Sequence, residues 1–148
     1  MADMATFTIR GMSRRSGLSE PTLRYYEDVG LLGPVARDEN SGHRRYDERD
    51  LDTAEILACL RAVGVGIEDM RAYLANRARG RTAAAEQRDL LLRYAERVEA
   101  ELAARRVRLT YLREKAALWD ARDRGDGAAE KHITDRLLET VGRLEATR

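Results

Sequence analysis

Arginine recurs through the first third of this chain in the company of side chains that suit a nucleic acid. Arg14 and Arg15 come first, then Thr22, Arg24 and Tyr25, then Arg37, His43, Arg44 and Arg45. The planar guanidinium fork matches phosphate oxygens and the guanine edge in bidentate geometry, and threonine and tyrosine hydroxyls add phosphate donors. Of the 27 basic residues only Lys115 and Lys131 are lysine, leaving 27 minus 2, or 25, arginines. A genome rich in arginine and alanine codons would explain that bias equally well. With 26 acidic residues the net charge is only +1, so a polyanionic ligand must be argued from position and not from total charge.

Other chemistries find less support. The sequence has no nucleophile–base pair, no glycine-rich phosphate loop and no carboxylate pair tied to a recognisable pocket, so no enzyme and no catalytic residue is expected. Cys59 is the single cysteine, which excludes an intrachain disulfide and a thiolate-pair metal site within one chain, and His132 alone is a poor ligand; neither metal nor cofactor is expected. Cys59 is the one remaining chemical handle. It sits in Ile56-Leu57-Ala58-Cys59-Leu60-Arg61, where a thiolate near arginine would react with electrophiles or oxidants, yet it shares a helical face with Ile56, Leu60 and Val63 and reads equally as a small buried hydrophobe.

The elements that must position these residues are mostly helical. A composition of 36% charged and 5% aromatic residues with two prolines favours helices over a sandwich or barrel, and 148 residues suffice for one globular domain plus an extended element. Thr8 caps a helix to Ser16, Gly17 makes a left-handed turn, and Ser19 caps a second helix, with Pro21 in its first turn, that stops at Gly30. Ile9, Met12, Leu18, Leu23, Tyr26 and Val29 are the candidate packing residues of this helix-turn-helix. Arg37 to Tyr46 reads as a hairpin wing turning at Asn40, Ser41 and Gly42. Asp47 caps a third helix with Asp50 three residues on, followed at helical spacing by Leu51, Ala54, Ile56, Leu57, Leu60 and Val63; a fourth helix runs from Gly66 to Gly80.

From Thr82 no breaker occurs until Gly125, and Leu91, Ala95, Val98, Leu102, Leu109, Leu112, Ala116 and Trp119 keep a three-four spacing interrupted only by Arg105. About 30 residues at roughly 1.5 Å each make a seam of about 45 Å, too long to bury against one compact domain, so a second copy of the chain is the natural partner. Tyr94, Tyr111 and Trp119 read either as dimer packing or as an aromatic pocket for a cationic or planar ligand. A short amphipathic helix is expected after the Asp-Arg-Gly-Asp-Gly break. The expected organisation is a winged helix-turn-helix over 7–80, a long coiled-coil dimerisation helix over 82–124 and a short C-terminal helix over 128–148. No apolar run approaches the roughly 20 residues of a membrane span, and Met1 to Arg10 lacks the pattern of a signal peptide, so a cytoplasmic location with no membrane partner is expected.

Leu23-Arg24-Tyr25-Tyr26-Glu27, Gly30-Leu31-Leu32, Gly42-His43-Arg44-Arg45-Tyr46 and Asp50-Leu51, in this order and spacing, resemble the MerR family over about residues 7 to 80. His43 departs from the tyrosine that members often carry there. The resemblance implies a homodimer, held by antiparallel long helices, that binds a pseudo-palindrome in an overlong promoter spacer and distorts the DNA before RNA polymerase when an effector is sensed. The family's metal sensors carry cysteines near the end of the long helix, whereas residues 110 to 148 contain none. No large effector domain is expected after the glycine break. The lone Cys59 resembles the aldehyde- and redox-responsive branch; a small aromatic or cationic ligand near the coiled coil is the alternative effector. In another class, a coiled-coil adaptor would explain residues 82 to 119 but would leave the arginine-bearing turn and wing without a purpose.

Overall fold

The computed structural model describes residues 5–147. Its first helix, α1 (Ile9–Ser16), begins where the Thr8 hydroxyl accepts the Gly11 amide at 3.1 Å. It ends at Gly17, whose φ of 80° returns the amide to the Ser13 carbonyl, a backbone state that a side chain would strain. Ser19 then caps α2 (Glu20–Asp28) by accepting the Thr22 amide, with proline in the first turn where its missing N–H costs nothing. These two helices are the expected helix-turn-helix.

Two short strands form the wing. β1 (Ala36–Arg37) and β2 (Arg44–Arg45) are antiparallel, pairing Ala36 with Arg45 and Arg37 with Arg44. The hairpin is extended by an isolated bridge in which Phe7 and Tyr46 exchange both backbone hydrogen bonds, at 2.7 and 2.9 Å. The segment before α1 is thereby tied to the base of the wing. A full capping box at Asp47 and Asp50 opens α3 (Glu48–Ala62), and Gly66 opens α4 (Ile67–Arg79). A 3-10 turn over Gly80–Ala83 delays the long helix, so α5 is Ala84–Asp123. Asp126 caps α6 (Gly127–Ala146) by accepting the Ala129 amide at 3.0 Å. This helix of 20 residues occupies nearly the span expected for it.

The chain divides into two compact units, one through Tyr94 and one from Ala95. The core of the first gathers Met12, Leu23, Tyr26, Tyr46, Leu57 and Met70 and also takes Leu90 and Tyr94 from α5, which carries that unit beyond residue 80. Ile9, Val29 and Ile56 pack partly buried at its edge. Val63 does not join: it stands after the last turn of α3 and is 55% exposed.

In the second unit α6 packs on α5 through buried Leu118, Ala121 and Leu137. Buried Thr140 donates its hydroxyl to the Glu114 carboxylate at 2.7 Å, and Arg122 pairs with Glu130 at 2.8 Å. Ala104, Val107, Tyr111, Glu114, Leu118 and Ala121 form a covered or half-covered stripe on α5. The proposed seam lies two positions away, about 200° around the helix. Leu91, Val98, Leu102, Leu109, Leu112, Ala116 and Trp119 are all exposed in the single chain. No described helix is long and apolar enough to cross a membrane.

Core position and edge position should separate cleanly in urea unfolding. Leu57→Ala, at a site with no exposure, is expected to lose about 2–5 kcal/mol through transfer and cavity costs. Val63→Ala is expected to stay within about 0.5 kcal/mol.

Candidate nucleic-acid interface

The start of α1, the outer face of α2 and the wing enclose a groove of about 320 Å³ lined by Thr8, Ile9, Arg10, Arg24, Arg37, Gly42, His43 and Arg44. Strand pairing explains part of this convergence. Arg37 and Arg44 are direct cross-strand partners and so project to the same face of the hairpin. Two like charges so placed repel, and the structure offsets them with one acid. Glu27, in the last turn of α2, accepts from Arg44 Nε at 2.5 Å with one oxygen and meets Arg37 Nη2 at 4.0 Å with the other. The Arg44 and Glu27 side chains are only 22% and 18% exposed, so this pair is better shielded than the ion pairs on the helix surfaces. The hydrogen bond to Glu27 is the main cause of an upward shift of the Arg44 pKa, which fixes the guanidinium still more firmly in its charged form.

At the wing tip Asp38 takes the role expected of Asn40, Ser41 and Gly42 alone. One of its carboxylate oxygens accepts the amides of Asn40 and Ser41 at 2.9 and 3.0 Å, while its own amide and carbonyl bond His43 and Gly42. Arg37 Nη1 closes the loop on the Gly42 carbonyl at 3.2 Å. The Ser41 and Asn40 amides hold the Asp38 carboxyl below the usual aspartate range.

Along α2, Arg24 is exposed and spans to Glu20 one turn away at 3.9 Å, a weak surface pair that releases easily. Tyr25 is 50% exposed above buried Tyr26, their rings 6.1 Å apart. The Thr22 hydroxyl accepts from Ser19 Oγ at 2.8 Å, near the start of the helix. His43 is exposed at the groove rim, its amide bonded to Ser41 Oγ. Burial pushes the Tyr46 phenol up, and the hydroxyl of this fully buried residue has no hydrogen-bond partner among the described residues.

The structure thus brings Arg24, Arg37, His43 and Arg44 into one groove and leaves other expected contacts outside it. Arg15 lies over the Phe7 ring at 4.9 Å and lines a different groove with Glu48, Asp52 and Glu55. Arg45, one residue after Arg44, points to the other face of the strand and is exposed. Arg14 is exposed in the last turn of α1 but does not line the wing groove. Sequence reasoning missed Arg10, a groove residue in the first turn of α1 that the Thr8 cap places, and Glu27, which pairs with two groove arginines and whose charge opposite to Arg44 was the available signal.

The effector candidates also separate. Cys59 is exposed, which overturns its reading as a buried core residue. It shares a shallow groove with Asp52, Glu55, Ile56, Leu60 and Tyr73, and no arginine lines it. Tyr94 is buried in the core of the first unit, its hydroxyl donating to Asp69, so the expected aromatic pocket loses its first member. Tyr111 is half-buried with Lys115 Nζ 6.0 Å from its ring centre, and exposed Trp119 carries the Arg122 guanidinium at 4.7 Å. Among the described residues no group of three or more His, Cys, Asp or Glu side chains is placed to hold a metal.

Asp38 gives the wing a pH dependence of definite sign. Its folded pKa is depressed, so the order it contributes is complete above the ordinary aspartate range and is lost as pH falls through the lower folded value. Amide exchange at Asn40 and Ser41 should therefore accelerate, beyond its intrinsic pH trend, only on that acid limb. Asp38→Ala should show the faster exchange already at neutral pH, with the Leu31 and Leu32 amides unchanged.

A regulatory-protein family described as MerR HTH matches residues 7–77. The chain is 45% identical over 65 residues to the HTH-type transcriptional regulator AdhR of Bacillus subtilis (strain 168), covering 44% of this chain and 46% of that protein. It is 30% identical over 92 residues, 62% of each chain, to heavy metal-dependent transcription regulator 2 of Rhizobium meliloti (strain 1021). Among solved structures it is similar to one described as HiNmlR, a MerR family regulator lacking the sensor domain, bound to promoter DNA. That similarity has a TM-score of 0.64 and 28% identity and covers 87% of this chain and 96% of that one. The matches span about half the length of the first curated relatives. Residues 7–77 of the chain are a helix-turn-helix domain of the MerR type.

Proposed function

We propose that the protein is a transcriptional regulator that binds a pseudo-palindromic promoter as a homodimer and changes the shape of the DNA for RNA polymerase. The observation that carries this reading is the arginine groove between α2 and a wing tied to it through Glu27. The nine-residue α2, about 10–12 Å across with its side chains, suits a major groove about 12 Å wide. Arg24, Tyr25 and Thr22 stand on the exposed side for base and phosphate contact, while the wing arginines reach the flanking backbone. Similarity to a regulator described as bound to promoter DNA supports the same reading.

The uncovered seam from Leu91 to Trp119 supports dimerisation through α5, because an apolar stripe of that length is stabilised by burial against a second copy. A dimer presents two α2 helices to two half-sites, and bending the spacer between them is indirect readout, offset by phosphate contacts. An effector need supply only a few kcal/mol of differential binding between two protein states. Exposure of Cys59 favours the electrophile or redox reading of that effector. The exposed Trp119 ring under Arg122 favours the second reading, a planar or cationic ligand at the long helix.

Fluorescence anisotropy on the inverted-repeat duplex upstream of the protein's own gene tests the DNA reading. Arg24→Ala should weaken binding by about 1–3 kcal/mol, and affinity should fall steeply as salt rises. A coiled-coil adaptor would ignore the duplex at moderate salt. In transcription from that promoter, an aldehyde or mild oxidant should induce the unaltered protein, and Cys59→Ser should abolish induction while retaining affinity. A variant that responds normally sends the effector search to Trp119.

A further inference from the structure

We propose that Arg71 is a positioning residue for α2, and that α4 links the long helix to α2 through the hydrogen bond between Tyr94 and Asp69. The inference rests on the reading of α2 as the recognition helix. Its starting point is an electrostatic mismatch. The last turn of α2 carries Glu27 and Asp28 and no basic residue, although a helix C-terminus holds partial negative charge and unpaired carbonyls. The missing cation comes from another helix. Arg71 on α4 donates Nη2 to the Val29 carbonyl at 2.9 Å. Its Nη1 lies 3.7 Å from where a β-carbon on Gly30 would stand, so the guanidinium packs directly on the turn. That turn is also closed by the Leu31 and Leu32 amides on the Tyr26 carbonyl, at 2.9 and 3.1 Å. Val29 follows Glu27 by two residues, which places the Arg71 contact beside the anchor of the wing.

The opposite side of α4 is held by α5 along its length. Tyr94 donates to Asp69, in the first turn of α4, and Arg93 approaches the same carboxylate at 3.9 Å. The Gly66 amide reaches the Tyr94 oxygen at 3.5 Å. Midway, Gln87 donates to the Tyr73 carbonyl at 3.0 Å and accepts from Asn76 at 3.2 Å. At the far end Arg79 pairs with Glu86 at 2.7 Å. A 13-residue helix gripped at three levels moves as one body with the helix that grips it. A rotation of the first turns of α5, from Glu86 to Tyr94, is therefore delivered through α4 to the Arg71 contact two residues from Asp69.

The test uses Arg71→Gln, Arg71→Lys, Tyr94→Phe and the Arg71→Gln/Tyr94→Phe double variant of the full chain. Amide exchange is read in the DNA-free protein, and affinity on the inverted-repeat duplex. Arg71→Gln and Tyr94→Phe should each speed exchange at Leu31 and Leu32 and weaken duplex binding by about 3- to 10-fold, the equivalent of one hydrogen bond. Exchange at Asn40 and Ser41 in the wing turn should not change. The double variant should be no worse than the worse single variant, and Arg71→Lys should recover part of both effects. A role of Tyr94 in core stability alone would leave Leu31 and Leu32 unaltered or make the two effects multiply, and either result overturns the link. Coupled exchange in a protein that ignores the duplex would overturn the DNA-binding reading, and with it the role of Arg71 in recognition. Multiplying effects with normal duplex binding would overturn the link alone.

Discussion

One carboxylate, that of Glu27, sets where the wing stands. A hairpin with two residues in each strand cannot hold its own position: it has no apolar face to bury, and neither residue of β1 is buried. The wing is fixed from outside, at its base by the bridge between Phe7 and buried Tyr46 and along its face by Glu27 reaching both Arg44 and Arg37. Without that acid, two directly opposed guanidinium groups would push the strands and the side chains apart. The same contact engages only Nε of Arg44, a residue that also lines the groove.

A nearly neutral chain can present a basic surface because its arginines are unevenly neutralised. Arg77 pairs with Asp52, Arg79 with Glu86, Arg88 with Asp89, and Arg124 with Asp120 and Asp126. None of these residues lines the wing groove, and each pair is worth little to stability in water. Arg10, Arg24, Arg37, His43 and Arg44 line the groove, with Glu27 paired to Arg37 and Arg44 and Glu20 3.9 Å from Arg24. Net charge therefore says little here about the ligand, and the local sum says much more.

What was legible in the sequence was local chemistry. Thr8, Ser19 and Asp47 are N-caps because a short polar side chain before a helical stripe has few better uses, and the structure uses all three as such. The family motif is legible for a related reason: it is a dense run of special residues over a short span. Contacts that need two distant elements were not legible. Arg15 looked equivalent to Arg14 but lies over Phe7, whereas strand alternation already allowed Arg45 to turn away from Arg44, as it does. Cys59 lies two positions after Leu57, about 200° around α3 from that buried side chain, so its grouping with the core residues failed on helical phase. The long helix hid a second stripe. Its proposed dimer seam was conspicuous in leucine, whereas the face covered by α6 runs through Ala104, Glu114 and Ala121, which carry little hydrophobic signal.

On the proposed DNA-binding reading, Glu27 serves binding by holding the wing, against its own charge. Glu27→Gln separates the two effects, because it removes a negative charge from a surface meant for a polyanion while breaking the tie to Arg44 and Arg37. Electrostatics alone predicts tighter binding. The measurement is the affinity of Glu27→Gln for the inverted-repeat duplex at fixed moderate salt, with helical content checked by circular dichroism. Weaker binding by a folded protein is expected; unchanged or tighter binding would show that Glu27 does not hold the wing for DNA.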